Sequence, residues 1–311
     1  MKKIPVILGA TASGKTALAI ELALKFNAEI ISADSRQIYR ELTIGSAKPS
    51  PEALATVPHH FINEKSLLED YDAASFANDA WQRIREILAR GKHVIVVGGS
   101  TLYLKNLIVG FSELPSADPT VRARLYKELE TLGSEVLYER LKRLDSERAQ
   151  TLDHTKTQRL IRSLEVIETT GRKMSDLQAA FHHQPPFKFD CIGLDVPRDG
   201  LYERINQRVD EMMQNGFLEE VQSLYHRFGS THRQRKINAL ETVGYKELFA
   251  FLEGTYSLEQ AISLIKQHTR NYAKRQLTFF RNQLHVQWNQ AASPSFALNQ
   301  ISSILSHLNS T

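Results

Sequence analysis

The stretch Gly9-Ala10-Thr11-Ala12-Ser13-Gly14-Lys15-Thr16 constrains this chain more than any other. It fits the spacing G-x-x-x-x-G-K-[ST] and directly follows the apolar run Ile4–Leu8. Glycines let the backbone curl into a nest of N–H groups aimed at an anion. A helix beginning near Lys15 adds the partial positive charge of its N-terminus. Lys15 supplies a point charge, and Thr16 a hydroxyl suited to Mg²⁺. A plain Gly-rich turn is the competing reading, but strand, loop and helix come in the order a phosphate-binding loop requires. That order predicts an α/β fold with a parallel sheet. The loop calls for a diphosphate or triphosphate; nothing in the motif makes ATP obligatory.

With 311 residues the chain has room for one large domain plus an insertion, or for two domains. Its 42 % hydrophobic and 24 % charged content is that of an ordinary globular protein. No apolar run approaches the roughly 20 residues that span a bilayer. Met1–Pro5 runs straight into a strand with no secretory h-region. The single cysteine, Cys191, excludes an internal disulfide framework and suits a reducing cytoplasm. Set within Phe189–Leu194, it reads as a buried strand thiol. The net charge of +4 is unevenly spread. Residues 227–281 carry ten Lys or Arg against four Glu, and residues 119–174 twelve against nine acids. Basic charge gathered in two segments fits a polyanionic partner.

Taken in order, Ala17–Phe26 is apolar nearly all round, predicting a helix buried against the sheet. A second strand, Ala28–Ala33, delivers Asp34-Ser35-Arg36-Gln37-Ile38-Tyr39 at its carboxyl end, the edge where ligands sit in open parallel sheets. Asp34 therefore faces whatever the loop holds, unless it is only a turn aspartate. His59 and His60 alternate across an extended chain and do not share a metal. Asp72 caps a helix reaching Arg90. His93–Gly98 is a buried strand ending in Gly98-Gly99-Ser100, where many nucleotide hydrolases carry a carboxylate. Residues 120–183 are helical in period, with Val121, Leu125, Leu129, Leu132, Val136, Leu137, Leu141 and Leu144 as apolar positions. This gives a P-loop parallel-sheet core, residues 1–115 and 187–311, with a helical insertion domain at 116–186. Leu201–Leu224 reads as a long amphipathic helix interrupted by Gly216, and Thr231–Lys236 as a basic loop. Ser257 and Gln260 form a capping box. The helix they open puts Ile262, Ile265, Tyr272 and Phe279 on one face and Lys266, Arg270 and Lys274 on another.

These motifs together resemble the tRNA dimethylallyltransferases, or tRNA isopentenyltransferases. The matching segments are Gly9–Thr16, Asp34–Tyr39, Ile44–Pro49, Pro58–His60, Val97–Ser100, Arg159 with Arg162–Val166, Gly244–Glu247 and Ala273–Gln276. Ala10, Ser46, Ser100, Lys156 and Phe279 depart from the family's usual residues. The resemblance implies transfer of a dimethylallyl group from dimethylallyl diphosphate to the N6 amine of the adenosine at tRNA position 37, with Mg²⁺. It implies Asp34 as general base, Thr16 and Arg208 at the diphosphate, and Thr16 as metal ligand. It further implies tRNA contacts at Asp34, Ser35, Arg36, Gln37, Ser100 and Arg122, at Gln158, Arg159, Leu160, Ile161 and Arg162, and at Leu240, Glu241, Thr242, Val243, Gly244 and Tyr245. The partners expected are the tRNA anticodon stem-loop and dimethylallyl diphosphate, with no membrane, for a cytoplasmic monomer. Two other classes use the same loop: a P-loop small-metabolite kinase using ATP, with residues 120–183 as a lid, and a non-catalytic nucleotide switch that binds nucleic acid. The basic segments weigh against the first, and the Asp34 motif at a strand edge against the second.

Overall fold

A computed structural model describes residues 3–180 and 182–290. The chain begins with β1 (Lys3–Gly9), α1 (Lys15–Lys25), β2 (Ala28–Ala33), α2 (Pro51–Thr56) and β3 (His59–His60). α3 (Ala73–Ala89), β4 (His93–Gly98) and α4 (Thr101–Val109) follow. A helical stretch comes next: β5 (Phe111–Ser112), α5 (Pro119–Leu132), α6 (Ser134–Leu144), α7 (Ser146–Gln150), α8 (Thr157–Thr170), α9 (Met174–Ala180) and β6 (His182–His183). The chain then continues through β7 (Lys188–Asp195), α10 (Arg198–Gln214), α11 (Phe217–Gln234), α12 (Tyr245–Leu252), α13 (Leu258–Gln283) and β8 (Val286–Gln290). It separates into two compact units, one holding the segments up to Ile108 and from Pro185, the other Val109–Gln184.

The first unit is built on a six-stranded sheet in the order β3-β2-β4-β1-β7-β8, parallel throughout. β2 is buried at every position and β1 at all but Lys3, the continuous apolar signature of strands covered on both faces. Gly98 lies opposite both Leu8 and Ala33. A Cβ there would come within 2.2 Å of the Ala33 carbonyl oxygen, so glycine is what lets the strand ends approach. Cys191 is buried in β7, and desolvation pushes its thiol up to about 12. No helix among the described residues is long and apolar enough to cross a membrane.

Several local expectations change. α1 buries Leu18, Ala19, Leu22 and Ala23 but leaves Leu24 58 % exposed, so one face and not the whole helix meets the sheet. The long helix is two, α10 and α11, broken where Gly216 takes φ 93°. Thr231–Gln234 is the last turn of α11 and not a loop, because His232 is buried there and its Nδ1 accepts from Ile237 N at 3.0 Å. On α13 the buried residues are Ala261, Ile265, Ala273, Gln276 and Phe280, while Tyr272 is exposed. Lys266 reaches Asp210 and Arg270 reaches Asn206, so two of the three basic residues on that face lie against α10. The caps expected at Asp72 and Ser257 are present.

The second unit packs α5, α6 and α8 around Leu125, Leu137, Leu141, Leu160, Ile161 and Leu164. Asp118 caps α5 with Pro119 behind it, and β5 pairs antiparallel with β6. Leu132, Val136 and Leu144 stay exposed; Leu132 and Leu144 are the terminal residues of their helices, past the packed core.

Candidate active site

Because β2, β4 and β1 are neighbours in the sheet, the segments leaving their carboxyl ends lie side by side. They are Asp34–Gln37, Gly99–Ser100 and the loop Gly9–Thr16. Together with α10, the 238–246 segment and α13 they enclose a cavity of about 330 Å³. Thr11, Lys15, Asp34, Ser100, Arg208 and Gly244 all line it.

The loop has the backbone its sequence anticipates. Gly14 caps α1 at φ 89°, a conformation glycine adopts without a Cβ penalty. Ala12, at φ 62°, adopts the left-handed region without that freedom, a local cost of the kind found at functional sites. Ser13 is buried, and its Oγ has no partner among the described residues. Lys15 Nζ donates to Ala10 O at 3.0 Å. Desolvation pulls its ammonium down to about 8, the Asp34 charge opposes that, and the Arg208 charge reinforces it. Arg208, on α10, comes within 3.5 Å of Thr11 Oγ1, and burial lowers its pKa too. Two desolvated cations beside an orphaned hydroxyl fit a bound anion of high charge.

Asp34 is a turn aspartate and more. Its Oδ1 accepts from Arg36 N at 2.9 Å and Gln37 N at 3.3 Å, while Oδ2 accepts nothing among the described residues. A fixed carboxylate with one open oxygen in a cavity can receive a proton. No group of three or more His, Cys, Asp or Glu converges among the described residues. Mg²⁺ usually takes one or two protein oxygens and fills its shell with substrate phosphate and water. Thr16, in the first turn of α1, is a donor of that kind.

The residues tied by resemblance to tRNA divide into two groups. In the first unit, Ser100 Oγ accepts from Ser35 N at 2.8 Å and donates to Ser35 Oγ at 3.1 Å. Arg36 reaches Asn238, and Gln37 Nε2 donates to the Ser46 and Ala47 carbonyls. Glu241, Thr242, Val243 and Gly244 line the cavity, and Thr242 Oγ1 is buried without a partner among the described residues. Leu240 and Tyr245 are 0 % exposed and do not line the cavity, so they support its wall from behind. In the second unit, Arg122 and Arg162 both bind the fully buried Glu165 carboxylate. Leu160 and Ile161 are core, which leaves Gln158 and Arg159 as the exposed members.

Two further residues, Glu220 and Gln276, shape the site through contacts that local sequence does not reveal. Glu220 accepts from Thr43 N, Ile44 N, Gly45 N and Tyr245 Oη, seating the 43–47 segment in the cavity wall. A glutamate in a first helical turn reads only as a complement to the helix dipole. Gln276 carried a signal, its place in Ala273–Gln276, but no chemistry could be attached to it.

The match to known proteins is extensive. A family model described as IPP transferase covers residues 37–283. A tRNA dimethylallyltransferase of Chlorobium chlorochromatii is 59 % identical over 292 residues, 93 % of each chain. That of Chloroherpeton thalassium is 57 % identical over 98 % of this chain and 95 % of its own. The crystal structure of the full-length tRNA isopentenylpyrophosphate transferase of Bacillus halodurans aligns with TM-score 0.71 and 35 % identity, covering 99 % and 98 % of the two chains. A eukaryotic dimethylallyltransferase acting on tRNA aligns with TM-score 0.80 at 29 % identity, over all of this chain and 80 % of the other. The loop, the carboxylate at the β2 edge and the cavity between them thus sit in a chain that belongs to the IPP transferase family.

Proposed function

We propose that the protein transfers a dimethylallyl group from dimethylallyl diphosphate to the N6 amine of adenosine 37, beside the tRNA anticodon. One observation carries this reading: Lys15, Arg208 and Asp34 line a single cavity at the carboxyl edge of the sheet. The cations suit the diphosphate, a leaving group that gains charge as its C–O bond breaks. Thr16 would hold the Mg²⁺, which when bound adds Lewis-acid stabilisation of that same charge. The amine attacks the allylic carbon, diphosphate departs, and the proton lost from nitrogen goes to Asp34. An adenine stacked in the anticodon loop cannot reach so enclosed a site, so the base is flipped out, at a cost of a few kcal/mol in a single-stranded loop. The flipped base would sit between the Asp34–Gln37 segment and Ser100. The enzyme works in the cytoplasm as a monomer.

The test is incubation of the purified protein with labelled dimethylallyl diphosphate, Mg²⁺ and bulk tRNA. Label should appear in tRNA at the adenosine 3′ of the anticodon, Lys15→Ala should abolish most of it, and ATP should not be turned over. ATP hydrolysis or phosphorylation of a small metabolite, with no label in tRNA, would return the chain to the kinase class.

A further inference from the structure

Gln276 lies on α13, is only 2 % exposed, and its carboxamide bonds two loops far away in sequence. Its Oε1 accepts from Thr11 N at 2.9 Å, and its Nε2 donates to Gly99 O at 2.7 Å. The first partner belongs to the loop after β1, the second to the turn after β4. A Cβ on Gly99 would sit 2.6 Å from Gln276 Nε2, 3.4 Å from Gly9 O and 3.5 Å from Lys15 Nζ. The space between loop, turn and lysine is therefore filled by the amide, and glycine at 99 is what admits it. From Gly99 the path continues: Ser100 Oγ engages both the backbone and the hydroxyl of Ser35, which follows Asp34. One run of hydrogen bonds thus ties the phosphate loop, through Gln276 and Ser100, to the carboxylate segment. The Thr11 amide is also withdrawn from the donors that a ligand could use.

We infer that Gln276 is a positioning residue for the transfer, its carboxamide fixing the separation between the phosphate loop and the Asp34 segment. The inference rests on the proposed reaction. Displacing reacting groups by about 1 Å can cost on the order of a hundredfold in rate, whereas packing alone would not be felt in the chemical step.

The experiment uses Gln276→Met, which keeps length and volume, and Gln276→Asn, which keeps the amide but is one methylene shorter. Single-turnover transfer is measured with enzyme saturated by dimethylallyl diphosphate and tRNA, and the fraction of competent sites is counted by binding of inorganic diphosphate. Both variants should bind tRNA within about twofold of wild type, yet transfer about 10- to 100-fold more slowly per competent site. With Ser100→Ala added to Gln276→Met, the combined loss should be smaller than the product of the two, since both cut one path. Wild-type rates per competent site in either variant that folds would overturn the inference, as would strictly multiplicative losses. Wild-type protein that transfers nothing in this assay would instead overturn the proposed reaction, and the inference with it.

Discussion

The cavity of the α/β unit and the packed helices of the second unit use positive charge in opposite ways. In the helical unit Arg122 and Arg162 are held by Glu165, while Arg124 and Arg140 share Glu128 and Glu168. In the α/β unit Lys15 and Arg208 line a cavity and form no ion pair among the described residues; a carbonyl and a threonine hydroxyl are their neighbours. A cation desolvated without a carboxylate is held ready for a ligand, whereas one locked on a buried glutamate is holding helices together. Counting basic residues along a segment cannot separate these cases. Of the residues in the helical unit tied to tRNA, Arg159 remains exposed and without an ion pair among the described residues.

Glu165 is where the helical unit depends most on its paired arginines. Its carboxylate accepts from Asp118 N, Arg122 and Arg162 while fully buried. Glu165→Ala should destabilise the helical unit by about 1–3 kcal/mol, the usual cost of leaving buried hydrogen-bonding groups such as the Asp118 N–H without their acceptor. Hydrogen exchange resolved by segment should show faster opening in Val109–Gln184 and unchanged protection in β1, β2 and β4. Uniform protection throughout would mean these arginines are not internal glue.

Arg159 sharpens the same contrast at a smaller scale. Arg159→Ala should weaken tRNA binding and reduce the slope of log K against log salt by at most about one unit, with turnover at saturating tRNA preserved. Arg162→Ala should act chiefly on stability. If the two variants behave alike in a salt titration, engaged and free arginines are not distinct classes.

The smallest effect concerns Lys48, which donates to Tyr39 O and Asn63 Oδ1 at 2.6 Å each and which burial lowers to about 8. Between pH 8 and 10 this lysine is neutral in the folded protein and still charged in the unfolded chain. The unfolded state then binds more protons, so this group makes stability rise with pH across that window and fall as pH drops through 8. Lys48→Met should flatten the rise in melting temperature measured from pH 8 to 10; an unaltered slope would show that this lysine titrates as it does in water.

What the sequence disclosed was whatever is settled within a few residues. The Gly9–Thr16 loop, the caps at Asp72 and Ser257, and the placement of Asp34 after a buried strand all follow from local spacing. Sheet order was not legible, and it is sheet order that puts Asp34, Gly99 and the loop side by side. The roles of Gln276 and Glu220 depend on contacts across as many as 265 residues, which no periodicity encodes. Burial misled in the other direction: Leu160, Ile161, Leu240 and Tyr245 lie in segments that resemblance alone ties to tRNA, and their side chains are core.

The proposed transfer requires Asp34 in the chemical step, and the most direct measurement is single-turnover transfer by Asp34→Asn at saturating tRNA and dimethylallyl diphosphate, alongside tRNA affinity. Asparagine keeps the size and can still accept from Arg36 N and Gln37 N, but it cannot take the proton. The transfer rate should fall by about 10²–10⁴-fold with affinity little changed. A collapse of affinity with a normal rate per bound complex would make Asp34 a tRNA contact and leave the proton without an acceptor.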